Sequence, residues 1–194
     1  KNYKVIAGDR RSSRNDNWRH DFLNISSKMI YEDFDLTDID SIYRLLKKYK
    51  FNEIYNLAAQ SFVKTSFTTP ISTSEVTGLG TLRILEMIRC ILPNCKFYQA
   101  SSSEMYGKTN SKSQNENTSF NPRSPYAISK VFAHYATINY RESHNIFACS
   151  GILFNHESPL RGEEFVTRKI VKNLCEIKFG KRKYLELGNI YAKR

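Results

Sequence analysis

Short apolar runs alternate with amphipathic stretches along most of this chain. Tyr3 to Ala7 (YKVIA), Lys28 to Phe34 (KMIYEDF), Glu53 to Leu57 (EIYNL), Lys96 to Ala100 (KFYQA) and Ile146 to Leu153 (IFACSGIL) each read as strands, the last two as buried ones. Between them, residues 39–48, 74–91, 126 to about 143 and 165–178 predict helices, and 18–25 a shorter, polar-rich one. Thr37 is the expected N-cap of the helix from Ile39. Val76, Leu79, Leu82, Leu85, Met87 and Ile88 form the expected core stripe of the helix ending at Ile91, and Ala127, Val131, Tyr135 and Ile138 are the inner positions expected of the helix from Tyr126. Strands separated by helices predict an α/β fold, a doubly wound parallel sheet with helices on both faces. Residues 108–119 are poor in hydrophobics and predict a surface loop in which Glu116 is exposed and inert.

Composition narrows the class. The 194 residues are 40% hydrophobic, enough for one domain with a proper core, and no apolar run approaches a membrane span. Nothing at the start has the character of a signal peptide, so a cytoplasmic location with no membrane partner is the expectation. The four cysteines, Cys90, Cys95, Cys149 and Cys175, lack C-x-x-C spacing and lie in apolar segments, which predicts reduced core thiols and no metal site. Lys and Arg outnumber Asp and Glu by 30 to 19, for a net charge of +11, and this suits an anionic partner. The basic residues are scattered, with no aromatic-interleaved basic block, so phosphorylated small molecules fit better than nucleic acid.

The candidate chemistry lies between Gln99 and Lys130. Ser101, Ser102, Ser103 and Glu104 follow the KFYQA strand, at the carboxyl end where an open parallel sheet keeps its site. Tyr126 and Lys130 are four residues apart, just past Pro122 and Pro125, and on a helix they share one face. A free phenol, with a pKa of about 10, is a poor base at neutral pH, and an ammonium beside it favours the phenolate. Tyr126 is therefore the candidate general base, with Lys130 lowering its pKa. A Tyr-x-x-x-Lys spacing also occurs on ordinary amphipathic helices, and only its context gives it weight.

Three segments make that context specific. Ser101 to Gly107 (SSSEMYG), Asn121 to Lys130 (NPRSPYAISK) and Gly151 to Lys169 (GILFNHESPLRGEEFVTRK) resemble the GDP-mannose 4,6-dehydratases, extended short-chain dehydrogenases/reductases that act on nucleotide sugars. The resemblance runs through essentially the whole chain and implies a Rossmann-type NADP-binding domain over 1–153 and part of a smaller nucleotide-sugar domain over 154–194. It implies Ser102, Glu104, Tyr126 and Lys130 as catalytic residues. Tyr126 would take the proton from the carbon 4 hydroxyl as hydride leaves for NADP, Glu104 would drive water loss across carbons 5 and 6, and the hydride would return to carbon 6. Ser102, where most relatives carry Thr, would hydrogen-bond the carbon 4 oxygen.

For the cofactor, the resemblance implies the RRSS element (Arg10, Arg11, Ser12 and Ser13), Asp35 and Leu36 against the adenine, and Leu57, Ala58, Ala59 and Gln60 at the end of the EIYNL strand. Tyr126, Lys130, His156 and Arg161 complete that set. Arg10 and Arg11 favour NADP, and Asp9 argues weakly for NAD. Ser61, Ser102, Glu104, Asn155 and Lys169 are the implied sugar contacts, Lys169 being one of three residues, with Thr167 and Arg168, in a helix turn that suits a diphosphate. Phe62 stands where many relatives have His, which loosens the expected specificity. Homodimers or homotetramers are implied too.

No G-x-G-x-x-G precedes the YKVIA strand; the close pair Gly78 and Gly80 lies in a helical context without a third glycine. The family's first strand, glycine loop and first helix are thus expected upstream of these residues, and the rest of its sugar domain downstream. Two alternatives follow: a dehydratase of another nucleotide sugar, such as GDP-mannoheptose, and a non-catalytic fragment or basic binding module.

Overall fold

The structure, a computed structural model, describes residues 3–12, 17–110 and 112–191. All its strand pairings are parallel, but they fall into two sheets. In the first, β1 (Val5–Asp9) pairs with β2 (Met29–Asp33); in the second, β4 (Lys96–Ser102) lies between β3 (Glu53–Asn56) and β5 (Ala148–Leu153). Parallel neighbours need long crossovers, and helices supply them. The helices are α1 (Trp18–Phe22), α2 (Ile39–Tyr49), α3 (Val63–Thr68), α4 (Pro70–Ser74), α5 (Gly80–Ile91), α6 (Pro125–His144) and α7 (Val166–Lys178). The chain divides into two compact units, one ending at Phe154 and the other starting at Asn155.

The core of the first unit gathers Leu36, Ile42 and Leu46 of the α2 region, Ile84, Leu85 and Ile88 of α5, and Phe97, Ile146 and Ala148 around β4 and β5. Ile84 is nearly inaccessible although it lies outside the expected α5 stripe, whereas Leu79 of that stripe is exposed. The cause is a π-helical turn at Glu75–Leu79, which rotates the following helix relative to a continuous 3.6-residue pattern. On α6, Tyr135 likewise faces outward, and the buried positions are Tyr126, Ala127, Ser129, Lys130, Ala133 and Thr137. Of the thiols only Cys95 is buried, so the expectation of four core cysteines is corrected: Cys90, Cys149 and Cys175 are exposed.

Helix α2 is capped by Asp38, whose carboxylate accepts from the Asp40 amide at 2.9 Å, in place of the expected Thr37. Thr37 instead donates its amide and hydroxyl to Asp35, at 2.8 and 2.7 Å. Helix α6 starts where Pro125 occupies the first turn and the Ser124 hydroxyl accepts from the Ala127 amide at 3.1 Å, an arrangement that fixes the direction in which Tyr126 leaves the loop. Inside the first unit, Asn56 on β3 donates to Gln99 of β4 at 2.8 Å and to Thr81 of α5 at 3.1 Å. This buried polar knot joins two strands and a helix.

Candidate functional site

Strand β4 runs two residues further than the KFYQA pattern, so Ser101 and Ser102 are its last residues and Ser103–Met105 form a single 3-10 turn. The Ser102 hydroxyl accepts from the Glu104 amide at 3.2 Å, which holds the turn against the strand end. Beyond it Gly107 takes a left-handed φ of 52°, and a Cβ there would lie 2.0 Å from the Asn121 carbonyl oxygen. Asn121 clamps the turn, donating its amide to Met105 at 3.1 Å and its side chain to Lys108 at 2.8 Å. The serine turn and the first turn of α6 are thereby held together.

Tyr126, Ser102 and Glu104 meet there. Burial pushes the Tyr126 phenol above its usual pKa, a hydrogen bond with the Ser102 hydroxyl pulls it back, and the Glu104 carboxylate pushes it up again. Glu104 itself is half-buried. Lys130 corrects the expected electrostatics. Its ammonium is 5.8 Å from the Tyr126 ring centroid and donates to the Ala100 carbonyl at 2.7 Å, so its bond is to the strand and not to the phenol. Burial lowers the Lys130 pKa to about 8, and the phenol is raised, not lowered. The arrangement brings together a phenol (Tyr126), a hydroxyl hydrogen-bonded to it (Ser102), a carboxylate (Glu104) and an easily deprotonated ammonium (Lys130).

The sequence reading leaves one neighbour out. His134, two turns beyond Tyr126, shares a hydrogen bond with the Ser101 hydroxyl at 3.0 Å and sits edge-on to Phe120 with ring centroids 5.2 Å apart. Burial lowers its pKa, with the Arg141 charge adding to the effect. Its spacing of four from Lys130 was the available clue.

The remaining expected contacts are distributed as follows. Arg10, Arg11 and Ser12 are exposed just after β1, and Ser13 lies outside the described residues. The Arg10 amide donates to the Asp9 carboxylate at 2.7 Å. Asp35 has a lowered pKa, mainly from the Thr37 bonds, with Arg10 and Arg83 contributing charge, so Arg10 and Asp35 share one neighbourhood. Leu36 is buried and its carbonyl accepts from Arg83 at 3.1 Å. Leu57, Ala58 and Ser61 are exposed beyond β3, with Ala59 and Gln60 half-buried. The Gln60 amide donates to Thr77 at 3.2 Å, while its buried side-chain oxygen has no hydrogen-bond partner among the described residues. An orphaned acceptor at a strand's carboxyl end, close to small residues, fits a ligand with donor groups lying across that edge.

Asn155, His156, Arg161 and Lys169 belong to the second unit. There Arg161 pairs with Glu157 at 3.0 Å, donates to the His156 carbonyl and lies 4.1 Å from the Phe165 ring centroid. Asn155 and His156 are exposed, and Lys169 is half-buried on α7. No group of three or more metal-ligating side chains occurs among the described residues, and no helix there is long and apolar enough to cross a membrane.

Comparison with known proteins supplies the wider frame. A family model described as GDP-mannose 4,6 dehydratase matches residues 1–194. The GDP-mannose 4,6-dehydratase of Vibrio cholerae serotype O1 is 48% identical over 203 aligned residues, which take in 100% of this chain and 54% of that protein. The GDP-mannose 4,6 dehydratase of Drosophila melanogaster is 53% identical over 162 residues, covering 82% of this chain and 41% of its own length. The chain thus spans about half the length of the curated relatives it matches. Among solved structures, the dTDP-glucose 4,6-dehydratase DesIV of Streptomyces venezuelae with NAD bound superposes with a TM-score of 0.77 at 22% identity, over 89% of this chain and 53% of that one. The RMD protein of Pseudomonas aeruginosa complexed with NADPH also gives 0.77 at 22% identity, over 93% and 63%. At that identity the likeness is one of fold, and it bears out the Rossmann-type expectation.

Proposed function

From the premise that this chain belongs to the GDP-mannose 4,6-dehydratase family, we propose that it carries the acid–base centre and most of the NADP-binding surface of an enzyme converting GDP-D-mannose to GDP-4-keto-6-deoxy-D-mannose. The observation that carries this reading is the meeting of Ser102, Tyr126 and Glu104, because elimination needs a second acid–base group beside the tyrosine. A simple alcohol dehydrogenase or an epimerase does not. Residues 1–153 are assigned to the dinucleotide and 154–194 to the nucleotide sugar.

A bound nicotinamide would supply reversible hydride storage between carbons 4 and 6 of the hexose. Everything else falls to side chains. Tyr126 takes the proton of the carbon 4 hydroxyl, through or beside Ser102. Lys130, its ammonium tied to the Ala100 carbonyl 5.8 Å from the Tyr126 ring centroid, would place positive charge beside the phenol. Glu104 removes the proton from carbon 5, acidified by the neighbouring ketone, and protonates the departing carbon 6 hydroxyl, so that one water leaves; as hydride returns to carbon 6, carbon 5 takes up a proton in balance with the one Tyr126 took, which resets both side chains. Positioned groups of this kind each contribute about 10²–10⁴ in rate. Arg10 and Arg11 would face a 2′-phosphate, which favours NADP over NAD. Gln60 and the small residues before it would lie against the dinucleotide, and Asn155, His156, Arg161 and Lys169 would serve the nicotinamide and sugar diphosphate. The full-length protein is read as a homodimer or homotetramer.

The test is Glu104→Gln in a full-length protein. Oxidation at carbon 4 should persist, seen as reduced-cofactor absorbance, while solvent deuterium fails to enter the sugar and 6-deoxy product falls about 10²–10⁴-fold. Product formed at the unsubstituted rate removes Glu104 from the mechanism. A panel of nucleotide sugars, including GDP-mannose and GDP-mannoheptose, decides the sugar.

A further inference from the structure

The last three residues of β4 are held differently from the rest of the strand. Strand β3 stops at Asn56, opposite Gln99, so Ala100, Ser101 and Ser102 are flanked by β5 alone among the described residues. Side chains of α6 supply bonds there instead. Tyr126, Lys130 and His134 are spaced by four, so they climb one side of α6 by about 6 Å per step. Each engages one of the three strand residues. Tyr126 meets the Ser102 hydroxyl, Lys130 donates to the Ala100 carbonyl at 2.7 Å, and His134 Nδ1 shares a hydrogen bond with the Ser101 hydroxyl at 3.0 Å. The first two belong to the acid–base centre, and the third has no part in the chemistry assigned above.

His134 also reaches the far side of the serine turn. Its ring is edge-on to Phe120, and the Phe120 centroid lies 5.3 Å from that of Tyr106. Tyr106 closes the turn, its amide donating to the Ser103 carbonyl at 3.1 Å. The imidazole is thus tied to the chain on both sides of Glu104, directly at Ser101 and through one phenyl ring at Tyr106. A ring that only filled this space would need no nitrogen facing Ser101. Burial, with the Arg141 charge adding, keeps the imidazole neutral at neutral pH. Either neutral tautomer can keep the bond, because a hydroxyl both gives and accepts.

We propose that His134 is a positioning residue of the acid–base centre: its bond to Ser101 fixes the end of β4 against α6, and so fixes where the Ser102 hydroxyl and the Glu104 carboxylate stand relative to the Tyr126 phenol. This role rests on the reaction proposed above and adds to it a group that touches no reacting atom. Misplacing a reacting group by about 1 Å can cost about 10²-fold in rate, and one lost hydrogen bond with partial relaxation should cost about tenfold. Affinity should change little, because neither His134 nor Ser101 is assigned to the cofactor or the sugar.

The experiment uses a full-length protein and three variants. His134→Phe keeps a ring and removes the nitrogen, His134→Asn restores a polar group near the Nδ1 position, and Ser101→Ala removes the partner. In His134→Phe and in Ser101→Ala, kcat should fall about tenfold with KM for GDP-mannose within about twofold, and the double variant should lose no more. His134→Asn should recover most of the loss. Hydrogen exchange at the Glu104 amide, which donates to Ser102 at 3.2 Å, should quicken about tenfold in His134→Phe while the amides of Ile88 and Phe97 keep their rates. That measurement needs no turnover, so it decides the positioning role even where Glu104→Gln leaves product formation intact. An unchanged Glu104 amide in His134→Phe overturns the proposal. Uniform quickening at Glu104, Ile88 and Phe97 makes His134 a packing residue and overturns it as well. So does a loss of kcat in His134→Phe that asparagine does not recover and Ser101→Ala does not reproduce.

Discussion

The two sheets of the first unit differ sharply in how they are held. Around β4 the strand has partners on both sides, α5 and α6 pack against it, and Ile88, Phe97 and Met105 are almost wholly inaccessible. Around β1 the strand has one partner among the described residues and no buried residue of its own. The catalytic candidates Ser102, Glu104, Tyr126 and Lys130 all lie on the well-packed side, whereas Arg10, Arg11 and Ser12 extend from the thin one. Proton transfer needs groups fixed to fractions of an ångström, and a phosphate contact on exposed arginines does not.

The largest expected break in that contrast is Ile88→Ala, which removes a fully buried side chain beside β4 and should cost about 2–5 kcal/mol in urea unfolding; Val5→Ala on β1 should cost well under that. Equal losses at the two sites would show that the halves are packed alike. Lys130 comes next. Its pKa falls to about 8 in the folded chain against an ordinary 10.5, so between those values the unfolded chain binds the extra proton. Stability should therefore rise with pH across that window, by roughly 3 kcal/mol, relative to Lys130→Met measured in parallel. Flat difference curves would mean the ammonium is not desolvated.

Asn56→Leu breaks the polar knot from one end, leaving Gln99 without its 2.8 Å donor, and should cost about 1–3 kcal/mol. A second change at Gln99 to an apolar residue should restore part of that loss. The smallest effect belongs to the surface of the thin half. Glu32→Gln removes the negative charge from the acceptor shared by Lys48 and Tyr49, and it should shift the urea midpoint only within error while abolishing a weak salt dependence.

Much of this organisation was legible. Helix α6 was marked by Pro122 and Pro125, and every strand matched an apolar run, because helix starts and sheet positions leave traces in residue type; the Ser124 cap was not read. Residues 63–73 are not legible as helices in the sequence. VKTSFTTPISTS is rich in Ser, Thr and Pro, yet Ser66 and Thr73 are buried by returning their hydroxyls to the backbone carbonyls of Val63 and Thr69, at 2.6 and 2.8 Å. A pattern that counts polar residues as exposed cannot find such a segment. At the site, the four-residue spacing put Lys130 on the same helix face as Tyr126 but carried no information about the Ala100 carbonyl that captures its ammonium. His134 was missed for the same reason, since its partner Ser101 comes from another element.

The left-handed residue behind the serine turn has one more consequence. Gly107 touches no reacting group, yet its missing side chain is what lets the Asn121 carbonyl approach, and every substitution there would add a Cβ at 2.0 Å from that oxygen. In a saturation library scored for activity, position 107 should therefore be as depleted as the proton carriers themselves, and ranking positions by tolerance alone would count a hinge pin among the chemical groups.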